Sequence, residues 1–314
     1  MTNTTKGYIL GAIAAVSYGT NPLFAVPLYE RGMEVPSVLF YRYAFATILL
    51  GIVMLIRKES FYLKFHEIPM MIGLGVVFAL SSALLFESYQ YMDVGLASTL
   101  LFVEPVFIAL LLWLFFKEKV SIMTIVSIVL CLGGVAFLCN PGVGAHVTAI
   151  GVILVILSSL SYAIYMVMVN KSRLQRLSGS TLTFYSLLFG ITVFMVQLNF
   201  FTDLQPVPSD GVAWACVMGL SIFPTIISLM TVAISIHYVG SVAVSILGAL
   251  EPITGLVFGI ALFGEVLTLK AAIGVILIIS AVMVLILAQP IKQIGVSAYY
   301  HLVGSLHRFR HHKQ

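Results

Sequence analysis

Charge is what this sequence has least of. Of its 314 residues only 16 are Lys or Arg and 12 are Asp or Glu, so charged residues make up 9% of the chain, against about 25% in an ordinary soluble domain. Apolar residues account for 61%, and the mean hydropathy is +1.10. A soluble fold has nowhere to hide that much apolar surface, because more than half of any folded surface is already apolar. The same scarcity excludes a disordered chain, which needs low hydrophobicity and high net charge. A net charge of +4 is too small to argue for a nucleic-acid partner. Cysteine is scarce as well: Cys131, Cys139 and Cys216 lie in apolar runs, are odd in number and form no CxxC pair, which reads as small buried hydrophobes and not as a disulfide framework. Histidine is missing from the apolar interior. His66, His146, His237, His301, His307, His311 and His312 all fall outside or at the edges of the apolar runs, so no imidazole remains there as a base or metal ligand. No HExxH, GxSxG or Walker A sequence occurs either, and no cofactor or metal is expected. What is left is a polytopic membrane protein whose surroundings are lipid.

Ten apolar runs are long enough for a hydrocarbon core of about 30 Å: 7–28, 36–56, 68–90, 94–116, 120–139, 147–169, 181–200, 212–236, 241–263 and 268–288. The first is too long for a cleavable signal and lacks a small-residue cleavage site, which predicts a retained span. Connections are short, and turn chemistry marks several, such as Asn140-Pro141-Gly142 and Gln205 to Gly211,. Orientation follows from basic residues. With the N-terminus inside, the inner segments carry Lys6; Arg57, Lys58 and Lys64; Lys117 and Lys119; Lys171, Arg173 and Arg176; and Lys292, Arg308, Arg310 and Lys313. The outer segments carry only Arg31 and Lys270. Both termini are therefore expected in the cytoplasm. The basic tail 290–314 places Ile294, Ala298, Leu302 and Phe309 at near-helical spacing. That suits either an amphipathic stretch on the anionic inner leaflet or a solubilising tail.

The chain resembles itself. Gly7-Tyr-Ile-Leu and Ser17-Tyr18 recur 144 residues later as Gly151-Val-Ile-Leu and Ser161-Tyr162, and Phe40-Tyr41 recurs at the same offset as Phe184-Tyr185. Glu104-Pro105 recurs as Glu251-Pro252, and each copy is followed 14 positions on by a second glutamate, Glu118 or Glu265. The matches are collinear and fall at equivalent places in spans 1/6, 2/7 and 4/9. Each half then holds five spans, and an odd number makes the second copy enter from the opposite side. This is an inverted-topology repeat, 1–140 and 141–289, of the kind found in secondary transporters with midplane substrate sites.

The segment Val94-Gly-Leu-Ala-Ser-Thr-Leu-Leu-Phe-Val-Glu-Pro-Val-Phe, running on to Phe116-Lys-Glu118, resembles the signature of EamA-type transporters in the drug/metabolite transporter superfamily. The copy from Val239-Gly through Glu251-Pro to Phe263-Gly-Glu265 is similar, and Pro36 followed by Arg42 also matches the pattern. Span 1 departs from it, with Ser17-Tyr18-Gly19-Thr20-Asn21 where the family often has a Trp-Gly pair. The resemblance covers nearly the whole chain. It implies an all-α membrane permease of ten helices in two five-helix repeats, frequently an exporter of amino acids or related metabolites, set in a bacterial cytoplasmic membrane. It does not identify the substrate.

Ionisable groups inside a membrane cost about 2.5–3.5 kcal/mol each on insertion scales, so they mark the candidate site. Glu104 and Glu251 are each the eleventh residue of a 23-residue span, which puts both at the midplane. Each precedes a proline, Pro105 or Pro252, that removes a backbone donor and breaks the helix. Such a carboxylate suits a substrate ammonium, a cation or a proton, and equally a hydrogen bond holding the two repeats together. Arg42 lies about four residues, roughly 6 Å, outward of the centre of its span. Its guanidinium could clamp a carboxylate, gate the outer side, or pair with Glu104 or Glu87. Its repeat mate is Ser186, so this charge breaks the symmetry. Tyr18 and Asn21 on span 1, Tyr162 and Tyr165 on span 6, and Tyr41 and Tyr185 complete the candidates for binding or gating, with Thr225 and Ser228 beside them. Gly255-xxx-Gly259 permits close helix approach. The expected function is alternating-access transport of a small molecule, amino acids or related metabolites leading, through a cavity lined by spans 1–4 and 6–9. Protons are one candidate driving partner. An intramembrane enzyme or a non-transporting scaffold is the alternative.

Overall fold

The computed structural model describes residues 3–117, 122–138, 142–172, 174 and 177–284. Glu118, the Asn140-Pro141 corner and the tail 290–314 lie outside the described residues. The chain is helical throughout: α1 Asn3–Gly19, α2 Asn21–Glu30, α3 Val35–Ile56, α4 Ile68–Ser88, α5 Val94–Leu101, α6 Glu104–Phe116, α7 Ile122–Leu138, α8 Ala149–Lys171, α9 Gly179–Gln197, α10 Gly211–Ser221, a π-helical turn at Ile222–Ile227, α11 Ser228–Leu247, α12 Leu250–Phe263 and α13 Leu269–Val284. Among the described residues the sole β pairing is the isolated bridge between Met92 and Val147. In lipid this is the expected outcome, because a helix satisfies its own backbone.

Seven helical runs are long and apolar enough to cross a membrane, from Asn3–Glu30 to Gly211–Val232, and α7, α12 and α13 are shorter apolar helices. Large side chains such as Ile52, Leu114, Val129, Ile153 and Ile276 are exposed on the outside of the bundle, the surface that lipid would cover. Leu39, Tyr43, Phe86, Leu100 and Phe194 are fully buried between helices. One expected connection is absent: α11 runs on as helix through 237–240, where no proline interrupts the chain.

Packing follows the repeat around the first helix of each half: α1 lies against α11 and α12 as its mate α8 lies against α4 and α6. Elsewhere α4 and α3 pack on α9, α3 on α10, and α5 on α12. The helix breaks also correspond. The chain leaves the helix after Leu101 and again after Leu247, and re-enters it so that Glu104 and Glu251 sit in the first turn of α6 and α12. Pro105 and Pro252 occupy that first turn, where a missing N–H costs nothing. Both helices end on a left-handed residue, Lys117 with φ 52° and Gly264 with φ 67°. The symmetry is incomplete in span 1, broken at Thr20 ahead of Pro22. Its mate α8 has no proline and is continuous.

The Gly255-xxx-Gly259 stripe serves packing. A Cβ on Gly255 would stand 2.5 Å from Ser98 Oγ and 2.6 Å from Ser98 Cβ, so the glycine lets α12 and α5 touch. Gly259 leaves room for the Glu265 carboxylate. That carboxylate accepts from the backbone amides of Val94, at 2.5 Å, and Gly95, at 3.0 Å. It caps the N-terminus of α5, where a negative charge is favoured by the helix dipole.

Candidate functional site

The breaks in α5/α6 and α11/α12 leave a cavity of about 150 Å³ in the middle of the bundle. On this measure a single water needs roughly 10–15 Å³, so the space suits a small metabolite. Its walls come from α1, α3, α4, α5, α6, α8, α11 and α12. Span 7, expected among the lining spans, contributes none of the lining residues: on α9, Ser186 is buried and donates to the Leu182 carbonyl of its own helix at 2.8 Å.

Six of the candidate side chains meet at this cavity: Tyr18, Arg42, Glu104, Tyr162, Ser228 and Glu251. They come from helices far apart in sequence, and all carry polar or ionisable groups. Four of the others stand elsewhere. Tyr165 lies behind Tyr162, their rings 5.6 Å apart, and also packs on Phe78 at 5.0 Å. Asn21 is buried at the α1/α2 break, donating from Nδ2 to the Tyr18 carbonyl at 2.9 Å, while its Oδ1 has no partner among the described residues. Tyr41 and Tyr185 each donate a hydrogen bond to a connection between helices, the Gln205 carbonyl at 3.1 Å and the Phe61 carbonyl at 2.7 Å.

Arg42 is the best-defined group in the cavity. It is only 5% exposed. Its Nε donates to Thr225 Oγ1 at 3.0 Å, and its Cζ lies 5.1 Å from the centre of the Phe86 ring. A desolvated cation over an aromatic face gains about 2 kcal/mol or more, which partly offsets the burial of the charge. Ser221 Oγ holds the Arg42 carbonyl at 3.2 Å. The π-helical turn makes this possible. Pro224 lies within it, the widened turn lets Thr225 Oγ1 donate to the Leu220 carbonyl at 3.0 Å, and the same oxygen faces Arg42. Single π turns inside α-helices recur at functional sites. Among the described residues Arg42 forms no ion pair with Glu104, Glu87 or any other carboxylate, and its terminal amino groups make no hydrogen bond. They are open to the cavity.

Phe86, Phe78 and the pair Ser81/Ser82 on α4 also line the site, and sequence reasoning passed over them. A Phe among 21 carries no mark. The adjacent serines near the centre of an otherwise apolar span were the available signal.

A helical membrane bundle with a polar, charged cavity between its helices is the architecture of a small-molecule transporter. The chain belongs to the EamA-like transporter family, whose family model matches it twice, over residues 5–140 and 149–287. The two matches give it that family's two-repeat fold. An uncharacterized transporter of Archaeoglobus fulgidus is 30% identical over 214 residues, covering 68% of this chain and 75% of the relative. The uncharacterized transporter YvbV of Bacillus subtilis is 27% identical over 298 residues, covering 88% and 90%. A solved crystal structure matches with a TM-score of 0.65 at 17% identity, covering 92% of this chain and 99% of its own; at that identity the likeness speaks for the fold alone.

Proposed function

We propose that this protein is a secondary transporter of small zwitterionic metabolites, amino acids or related compounds, working by alternating access. In this reading two inverted repeats, 1–140 and 141–289, span the membrane with both termini in the cytoplasm, and the cavity opens to each side in turn. The observation that carries the proposal is the charge set lining the cavity: one guanidinium and two carboxyl groups, Arg42, Glu104 and Glu251. The terminal fork of Arg42 suits a substrate carboxylate bound through two parallel hydrogen bonds. Glu104 and Glu251, at the positive ends of α6 and α12, suit an ammonium.

Charge balance bears on coupling. With all three groups ionised the empty cavity holds one net negative charge, which is expensive in a medium of low dielectric. One proton removes it when the site is empty. The ammonium of a bound zwitterion competes with that proton for the two glutamates, and displacement of the proton gives antiport.

The test is uptake of a radiolabelled panel of L-amino acids and related metabolites into proteoliposomes, with and without an imposed pH gradient. Accumulation of one chemical class beyond equilibrium is the expected result. Uptake that only equilibrates would remove the proton from the scheme, and silence across the panel would overturn the amino-acid assignment.

A further inference from the structure

Tyr41 and Tyr185 stand 144 residues apart in the two halves, and so do Ser37 and Thr181, one helical turn before them. Each pair does the same thing at a different end of the bundle. Tyr41 Oη donates to the Gln205 carbonyl at 3.1 Å, and Ser37 Oγ accepts from the Gln205 amide at 3.1 Å. Tyr185 Oη donates to the Phe61 carbonyl at 2.7 Å, and Thr181 Oγ1 donates to the Ser60 carbonyl at 2.8 Å. Gln205 and Phe61 are themselves related by the same 144-residue offset. The connection holding Gln205 joins α9 to α10, and that holding Phe61 joins α3 to α4. So α3 ties down the connection that follows α9, while α9 ties down the connection that follows α3.

The two ties lie on opposite faces. Tyr41 is near the start of α3, and Phe61 lies beyond its end at Ile56; the intervening helix rises about 22 Å at 1.5 Å per residue. None of these four side chains lines the cavity, and all four bonds join one half of the sequence to the other. Ser37 and Thr181 are buried, so water does not replace their partners without the halves separating.

We propose that Ser37–Tyr41 and Thr181–Tyr185 are a matched pair of latches, one on each face, of which one opens while the other stays closed. The inference rests on the two-sided cycle proposed above. The structure has both latches closed. The face held by Tyr41 carries further ties, an ion pair between Arg31 and Asp210 at 2.8 Å and a hydrogen bond from the Glu34 amide to Gln205 Oε1 at 2.6 Å.

The latches are tested without knowing the substrate. A single reporter cysteine is placed in the cavity as Ser228→Cys, in a chain whose Cys131, Cys139 and Cys216 are replaced by alanine. A membrane-impermeant maleimide is applied to right-side-out and to inverted vesicles. One variant carries Ser37→Ala with Tyr41→Phe, the other Thr181→Val with Tyr185→Phe. Tyr41→Phe and Tyr185→Phe alone serve as milder versions, because the ring packing of Tyr41 on Phe45 and of Tyr185 on Phe189 is kept. Each lost hydrogen bond shifts the equilibrium by about 2- to 10-fold. The expected result is opposition: one variant speeds labelling from one side and slows it from the other, and its mate does the reverse. Shifts in the same direction, or none in any variant, overturn the latches as static struts. Normal uptake with unchanged labelling would overturn the latches alone. Opposite shifts with silence in the uptake panel would overturn the amino-acid assignment and leave the latches and the two-sided cycle standing.

Discussion

Arg42 shows how much of a membrane site depends on one side chain. It is a lone cation inside an apolar span, and the cost of putting it there made it visible from sequence. Its surroundings were not visible. Thr225 is 183 residues away in sequence, and whether it faces Arg42 depends on the rotation of one helix against another. With Nε held by Thr225 and the flat face covered by Phe86, the terminal fork is what Arg42 leaves for the cavity. Thr225→Val keeps the shape and removes the acceptor. The expected outcome is a rise of about tenfold in KM for uptake of the accepted substrate, equivalent to about 1.4 kcal/mol, with the maximal rate little changed. Thr225→Ser should restore the parent value, because the hydroxyl returns. An unchanged KM in the valine variant would mean that Arg42 is positioned by packing alone.

At the scale of elements, the breaks beside Glu104 and Glu251 were legible as Glu-Pro pairs, since proline cannot continue a helix. Their form was not: the structure puts each proline in the first turn of a new helix, so each glutamate sits at a helix N-terminus. The α5/α12 contact supplies two predictions. Gly255→Ala drives a Cβ into Ser98, and overpacking of this kind costs about 1–3 kcal/mol. It should appear as a lower thermal unfolding midpoint in detergent, a drop larger than that caused by alanine at Gly211, which has open space around it.

The second prediction concerns pH. Burial pushes the Glu265 carboxyl up from 4.5 to about 7, with the nearby Asp93 charge adding to the rise and the amides of Gly95 and Val94 opposing it. Between those values the folded chain keeps a proton that the unfolded chain has released. Stability then falls as pH rises through that window. The unfolding midpoint should drop between pH 5 and pH 8 in the parent and drop less in Glu265→Gln. Equal slopes would show that this carboxyl does not set the pH response.

For the whole molecule, the question is whether Glu104 and Glu251 carry charge through the cycle or only hold it together. If they carry the proton, Glu104→Gln and Glu251→Gln should each flatten the pH dependence of uptake while leaving a folded, membrane-inserted chain. If both variants keep the parent pH profile, the glutamates are structural and the driving ion lies elsewhere. Membrane insertion is set by hydropathy and basic residues, which a neutral Glu→Gln change leaves in place.

Sequence alone settled the features that the solvent dictates. With charge at 9% and apolar residues at 61%, only a helical membrane protein was open to this chain, because hydrocarbon punishes unpaired backbone and stray charge. The collinear Glu-Pro and Ser-Tyr matches made the repeat readable, since they depend on order along the chain. Tertiary structure alone decided which faces of the helices turn inward. It sent Tyr41 and Tyr185 to the two ends of the bundle while Tyr18 and Tyr162 met at its centre. It also set a phenylalanine ring and a threonine hydroxyl, not a glutamate, against the buried arginine. The physical reason is that hydropathy does not vary around a helix that is apolar on every side. Its rotation is decided by packing against neighbours distant in sequence, and the site is a product of that rotation.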